Sequence, residues 1–162
     1  MSYTAAMDDP KPETLYDEDY FAWSLAQAEA LRARGRGGNA IDFDHVAEEI
    51  EDLGRSELRA CEGLVRRIVE HLLKLATSGR EEPKPHWRAD VTTFRTEIDG
   101  RLTATIRASL AADLPRLWRQ AVRIAAARLA AEEPGSAVRL PMEPTLGLDE
   151  VLDLDWWPPT LA

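Results

Sequence analysis

The sequence predicts an all-α, bundle-like domain of about four main helices and a short carboxy-terminal one, and three observations carry that expectation. Apolar residues recur at spacings of three and four over most of the chain. No stretch alternates apolar and polar residues long enough to make a sheet. Stretches rich in glycine or proline stop the periodic segments, at "GRGGNA", at "ATSGREEPKP" and at Pro134 and Gly135. A chain of 162 residues also suits one domain, able to bury roughly 70% of the surface its unfolded form exposes.

Residues 1–15 carry "DDPKPE", with few apolar groups, and read as a mobile lead-in before a helical domain over 16–162. The first helix is "YDEDYFAWSLAQAEALRAR". Asp17 or Asp19 can cap it, and Arg32 and Arg34 complement the dipole at its end. Tyr20, Trp23, Ser24, Gln27, Ala28 and Leu31 share one face, with Phe21 and Leu25 on its flank. "GRGGNA" then stops the helix.

Asp42 suits the N-cap of the second helix, and Ile41 with Val46 forms a hydrophobic staple around it. From Phe43 through Val46, Ala47, Ile50, Leu53, Gly54, Cys61, Leu64, Val65, Ile68 and Leu72 to Leu75, one apolar stripe continues to Gly79, Pro83 and Pro85. About 36 such residues would span ~54 Å, longer than the roughly 40 Å diameter of a compact domain of this size. Either the helix bends or breaks near Gly54, which is the expectation adopted, or part of it serves a partner.

"HWRADVTTFRTEIDGRLTATIRASL" predicts a third helix, with Trp87, Val91, Phe94, Ile98, Leu102 and Ile106 on one stripe and Gly100 off it. A fourth starts near Pro115, a residue suited to a first turn, and ends at Pro134 and Gly135. Leu114, Leu117, Trp118, Ala121, Val122, Ala125 and Leu129 form its apolar side. After an extended "SAVRLPMEP", Thr145 can cap the short helix "LGLDEVLDL", and "DWWPP" reads as an aromatic anchor for the chain end.

Charge narrows the function classes. The formal net charge is −9, distributed as −9 over residues 1–62, +5 over 63–139 and −5 over 140–162. Phosphate neutralisation needs a cationic surface, so nucleic acid is a disfavoured partner. Acidic ends lying against a basic middle are the simpler account. One cysteine cannot make an internal disulfide, and neither a basic-apolar leader nor a long apolar run is visible. A cytoplasmic protein without a membrane span is the expectation.

The stretch "DFDHVAEEIEDLGRSE" puts seven carboxylates and a histidine into sixteen residues. With Phe43 at zero, His45, Glu48, Glu49 and Asp52 lie between about 140° and 240° on the helical wheel. Imidazole and carboxylates on neighbouring turns are metal-ligand types. A face opposite the apolar stripe ordinarily meets water, however, and acids near a helix start favour its positive end. The solvated reading therefore leads. Arg59, Arg66, Arg67 and Lys74 continue the same side.

The spacing of Glu48 with Glu51 and Glu49 with Asp52 is similar to that in helical nucleotide pyrophosphatases, but no second pair of this kind occurs on another helix. His71 reads as a packed or boundary histidine beside Glu70, His86 as one without a local partner, and Cys61 as core. No strong metal, nucleophile-elbow or nucleotide motif is present, so no cofactor is expected. Arg116, Arg119 and Arg123 make a basic stripe, with Arg101 and Arg107 earlier in the chain.

Taken together, "YDEDYFAWSLAQAEALRAR", "IDFDHVAEEIEDLGRSE", "HLLKL" followed by the Trp87 helix, and "TLGLDEVLDLDWWP" resemble the bacterial domain-of-unknown-function family 29. The resemblance extends from about Tyr16 to Pro158, and "AEEIEDLGRSE" is its most specific part. It implies a small bacterial helical protein and no particular activity. Glu48, Glu49, Glu51, Gly54 and Arg55 fit the family motif, whereas the position of His45 usually holds other residues such as asparagine. That departure moves attention from His45 to the acids and Gly54.

The expected function is a non-enzymatic interaction or structural module acting through helix faces, with a homo-oligomer or another protein as partner. The alternatives are a divalent-metal-dependent hydrolase on the face at 48–52, and a small nucleic-acid-contacting regulator using Arg116, Arg119 and Arg123.

Overall fold

The computed structural model describes residues 12–34, 42–134 and 139–159. Among them are six helices and no strand: α1 Pro12–Glu18, α2 Tyr20–Arg34, α3 Phe43–Thr77, α4 Lys84–Asp99, α5 Ala104–Glu132 and α6 Leu148–Leu152. The fold is all-α. None of these helices is long and apolar enough to cross a membrane. By Cα packing the chain divides into two compact units, Met1–Glu57 with Thr103–Thr105, and Leu58–Leu102 with Ile106–Ala162.

In the first unit α1 begins at Pro12, inside the residues read as a lead-in. Asp19 separates α1 from α2 and caps the latter: its Oδ1 accepts from the Ala22 amide at 3.0 Å. Its Oδ2 accepts from the Thr105 amide at 2.8 Å, at the start of α5. One buried carboxylate thus satisfies orphan amides of two helix starts. Burial works to raise the Asp19 pKa, but the Ala22 and Thr105 amides and the Thr105 and Thr103 hydroxyls outweigh it and hold the group below the usual aspartate value.

The buried side of α2 is Phe21, Ser24 and Ala28. Tyr20 and Trp23, expected at the centre of that side, are half-buried and cluster with exposed Tyr16, at ring-centroid distances of 4.8 to 5.7 Å. The "GRGGNA" turn and the Ile41 half of the staple lie outside the described residues.

Asp42 caps α3, accepting from the His45 amide at 3.2 Å. The expected break near Gly54 does not occur, because α3 is one helix from Phe43 to Thr77. Gly54 has a different use. A Cβ there would meet Ser24 Oγ at 1.9 Å, Ser24 Cβ at 3.0 Å and Phe21 Cδ2 at 3.1 Å, so glycine suits this close approach of α2 and a side chain would press on it.

In the second unit, Leu64, Val65, Ile68, Val69, Leu72, Leu73 and Leu75 of α3 are buried with Trp87, Val91 and Ile98 of α4 and the long stripe of α5. The single helix expected over 86–110 is instead two. Gly100 is the C-cap of α4 rather than an interior residue, and α5 starts at Ala104. The start near Pro115 is likewise overturned, since Pro115 lies inside α5. An interior proline costs roughly 3 kcal/mol, but Ile106, Leu110, Leu114, Leu117, Trp118, Ala121, Val122, Ala125 and Leu129 form one buried stripe across it. Burial of that stripe outweighs the proline.

Gly147, not Thr145, precedes α6, and its amide is held by the Glu150 carboxylate at 2.8 Å. Arg95, only 1% exposed, fastens the chain end. Its Nε and Nη1 donate to the carbonyls of Val151 and Trp156, each at 2.9 Å. The Trp157 ring centroid lies 5.1 Å from the same guanidinium and 4.9 Å from that of Arg88.

Candidate functional site

The acidic stretch resolves into three groups with different partners. His45 turns back to its own helix start, with Nδ1 at 2.5 Å from Asp42 Oδ2. The Asp42 contact raises the histidine pKa, and the same hydrogen bond lowers that of Asp42. Glu48, Glu49 and Asp52 are exposed. No three His, Cys, Asp or Glu side chains among the described residues are placed to hold a metal ion, so His45, Glu48, Glu49 and Asp52 share a face without forming a ligand set.

Glu51 is the exception among the acids. Arg32 Nη2 of α2 donates to its Oε2 at 2.6 Å, and Arg55, one turn on, donates to Oε1. The Arg32 hydrogen bond, aided by the charges of Arg55 and Arg32, holds the Glu51 carboxyl below its usual range. With Gly54 three residues later, Glu51 marks the α2–α3 contact: a close approach at the glycine and a charged clamp beside it. Three of the family-motif positions, Glu51, Gly54 and Arg55, therefore join at one helix contact, while Glu48 and Glu49 face water.

The apolar side of this half-helix is incompletely covered. Ala47 and Gly54 are buried, but Val46 is 40% and Leu53 56% exposed, with Ile50 between them half-buried. These apolar groups at i, i+4 and i+7, two exposed and one half-buried, form a stripe on one helix face.

The basic stripe on α5 is largely neutralised. Arg116 Nη2 pairs with Glu62 at 2.7 Å and Asp113 at 2.6 Å, and Arg119 Nη1 with Glu143 at 3.4 Å. Arg107 pairs with Asp149, and Arg101 lies 3.6 Å from Glu97. Arg123 is exposed. The expected match of basic middle to acidic end thus takes the form of particular pairs within the second unit.

Sequence reasoning missed a polar cluster inside that unit. Lys74, placed on the solvated side by its wheel angle, is 2% exposed, and Glu70 is 3% exposed. Lys74 Nζ lies 4.4 Å above the Trp87 ring and 3.7 Å from Glu70 Oε1, which Arg128 Nη1 approaches at 2.9 Å. Burial lowers the Lys74 pKa against the pull of Glu70 and Glu132. His71 is buried beside them, as its packed reading expected. His86, read as having no local partner, has Asp90 at 3.5 Å. The available signal was the run "IVEHLLKL" from Ile68 to Leu75, rich in apolar residues on more than one narrow stripe; all of it is buried in the structure, which leaves its charged members no wet face.

Two concavities accompany this core. One of about 310 Å³ is lined by Arg95, Asp99, Arg107, Asp149 and Asp153 with apolar walls. The other, about 190 Å³, is apolar and lined by Leu72, Leu73, Ala76, Trp118, Trp156 and Pro158.

A solved α-helical protein of unknown function from Rhodospirillum rubrum ATCC 11170 (rru_a3208) is similar in both sequence and fold. The two are 32% identical, with a TM-score of 0.78 over 87% of this chain and 90% of that one. No curated protein matches the sequence. The family model described as "Domain of unknown function DUF29" matches residues 15–157. With that match running from before α2 to the tryptophan pair, the chain belongs to the DUF29 family.

Proposed function

We propose that this protein is a non-enzymatic interaction module whose binding face is the first half of α3. The observation that carries the reading is the half-open stripe Val46, Ile50 and Leu53, apolar and regularly spaced on a helix. Such i, i+4, i+7 anchors are the type a partner helix or groove covers. The exposed carboxylates of Glu48, Glu49 and Asp52 would act as a polar rim that selects register and partner, a role acids fill without a metal.

A second copy of the chain is the simplest partner to test. Sedimentation equilibrium over a wide concentration range should show reversible association of the natural protein. Leu53→Glu should shift it to monomer, with helicity by circular dichroism unchanged. A monomer at every concentration, behaving identically with and without the substitution, would remove the self-association reading.

A further inference from the structure

His71 occupies a position in the fold with two distinct protonation geometries. Its Nδ1 is 2.8 Å from the Arg67 carbonyl oxygen, which can only accept, so Nδ1 carries a hydrogen. Its Nε2 is 3.3 Å from Asp90 Oδ2 of α4. In the neutral ring that nitrogen holds a lone pair, and two acceptors face one another across the α3–α4 contact. With a proton on Nε2, the same contact becomes a charge-assisted hydrogen bond between helices.

We propose that His71 and Asp90 form a proton-operated latch between α3 and α4, open when Nε2 is bare and closed when it takes up a proton.

The surroundings allow both states. From α3, Glu70 and Lys74 flank the ring, and Arg67 contributes its carbonyl while its guanidinium lies over Phe94. From α4 come Asp90, the Phe94 ring edge-on at 5.7 Å, and exposed His86, whose Nε2 is 3.5 Å from the same Asp90 oxygen. From α5, Arg128 and Glu132 act on the neighbouring Lys74. A proton on His71 would face the carboxylates of Glu70 and Asp90, which favour it. Burial opposes that proton, as does Lys74, and together they push the His71 pKa below the ordinary histidine value. The latch is thus open near neutrality and closes only at a pH below that at which an ordinary imidazole takes up its proton.

Nitrogen and carbon NMR of the imidazoles in the intact protein tests this, with His45→Gln and His86→Gln used to assign the buried ring by elimination. At neutral pH, His71 should be the Nδ1–H tautomer, and acid should protonate Nε2 with a midpoint below that of free histidine. Asp90→Asn, at a partly exposed position that tolerates an amide, removes the carboxylate and offers an N–H to the bare nitrogen. It should lower the midpoint by about one pH unit or more. An Nε2–H tautomer at neutral pH, or the same midpoint in Asp90→Asn, overturns the proposal.

Discussion

The two halves of α3 share one apolar period and have opposite surroundings. From Phe43 to Asp52 the helix is covered on one side only, and its charges lie at the surface, with Glu51 clamped at the rim by Arg32 and Arg55. From Ile68 to Leu75 every residue is buried, including Glu70, His71 and Lys74. The same chemical groups therefore have different energetics along one helix. An exposed ion pair gains little over hydration, whereas removing one member of a buried pair strands its partner's charge.

The largest expected effect uses that contrast. Glu70→Ala leaves Lys74 buried against Trp87 without its nearest carboxylate, and Arg128 without a partner at 2.9 Å. It should cost about 3–5 kcal/mol in urea denaturation. Glu49→Ala, an equally acidic residue in the exposed half, should leave the denaturation midpoint unmoved. Equal effects from the two would mean that the buried cluster is hydrated in solution and that the contrast is false.

The next effect concerns how the first unit is held. Its ties include polar ones, among them Asp19 at two helix starts and Glu51 between two arginines. Asp19→Ala forfeits both caps and should cost roughly 2 kcal/mol. Since the Asp19 pKa is lowered on folding, its charge contributes stability that is complete above its unfolded value near 3.8 and is lost as pH falls through the folded value. Asp19→Asn keeps an acceptor but not that titration, so its stability should vary less with pH below 4 than that of the natural protein. An unchanged acid profile would assign the acid response to other groups.

What the sequence made legible follows the same division. The α5 stripe from Leu114 to Leu129 and the Asp42 cap are local signals, and the structure uses both, whereas Gly54, expected to bend or break the helix, instead meets Ser24 and Phe21 of α2. The boundary between α4 and α5 was not legible, because the start of α5 is held by Asp19, 86 residues away. Pro115 misled for a related reason, since a local helix-start signal lost to a stripe that buries from Ile106 onward. Lys74 misled because a helical wheel assumes one wet side, and α3 from Ile68 to Leu75 has none. At the acidic stretch, wheel angles placed His45, Glu48, Glu49 and Asp52 together. They carried no information about Arg32, whose contact distinguishes Glu51 from its neighbours.

The smallest expected effects differ in sign and come from two glycines of α3. In a helix interior, Gly→Ala gains roughly 0.5–1 kcal/mol from backbone entropy where the site is open. Nothing lies within 4 Å of a Cβ at Gly63, so Gly63→Ala should stabilise by about that amount. At Gly54 the same methyl would overlap Ser24 Oγ at 1.9 Å and press on Ser24 Cβ and Phe21, and overpacking of this kind costs about 1–3 kcal/mol. The net for Gly54→Ala is a loss of roughly 1 kcal/mol. Ser24 Oγ can leave, but Ser24 Cβ at 3.0 Å cannot, so Ser24→Ala in the Gly54→Ala background should recover only part of that loss. Thermal denaturation of these three variants and of Ser24→Ala alone measures both signs and the Ser24–Gly54 coupling. Stabilisation by Gly54→Ala would mean that α2 stands off from α3 in solution, and the Arg32–Glu51–Arg55 clamp would then have to hold that contact without close packing.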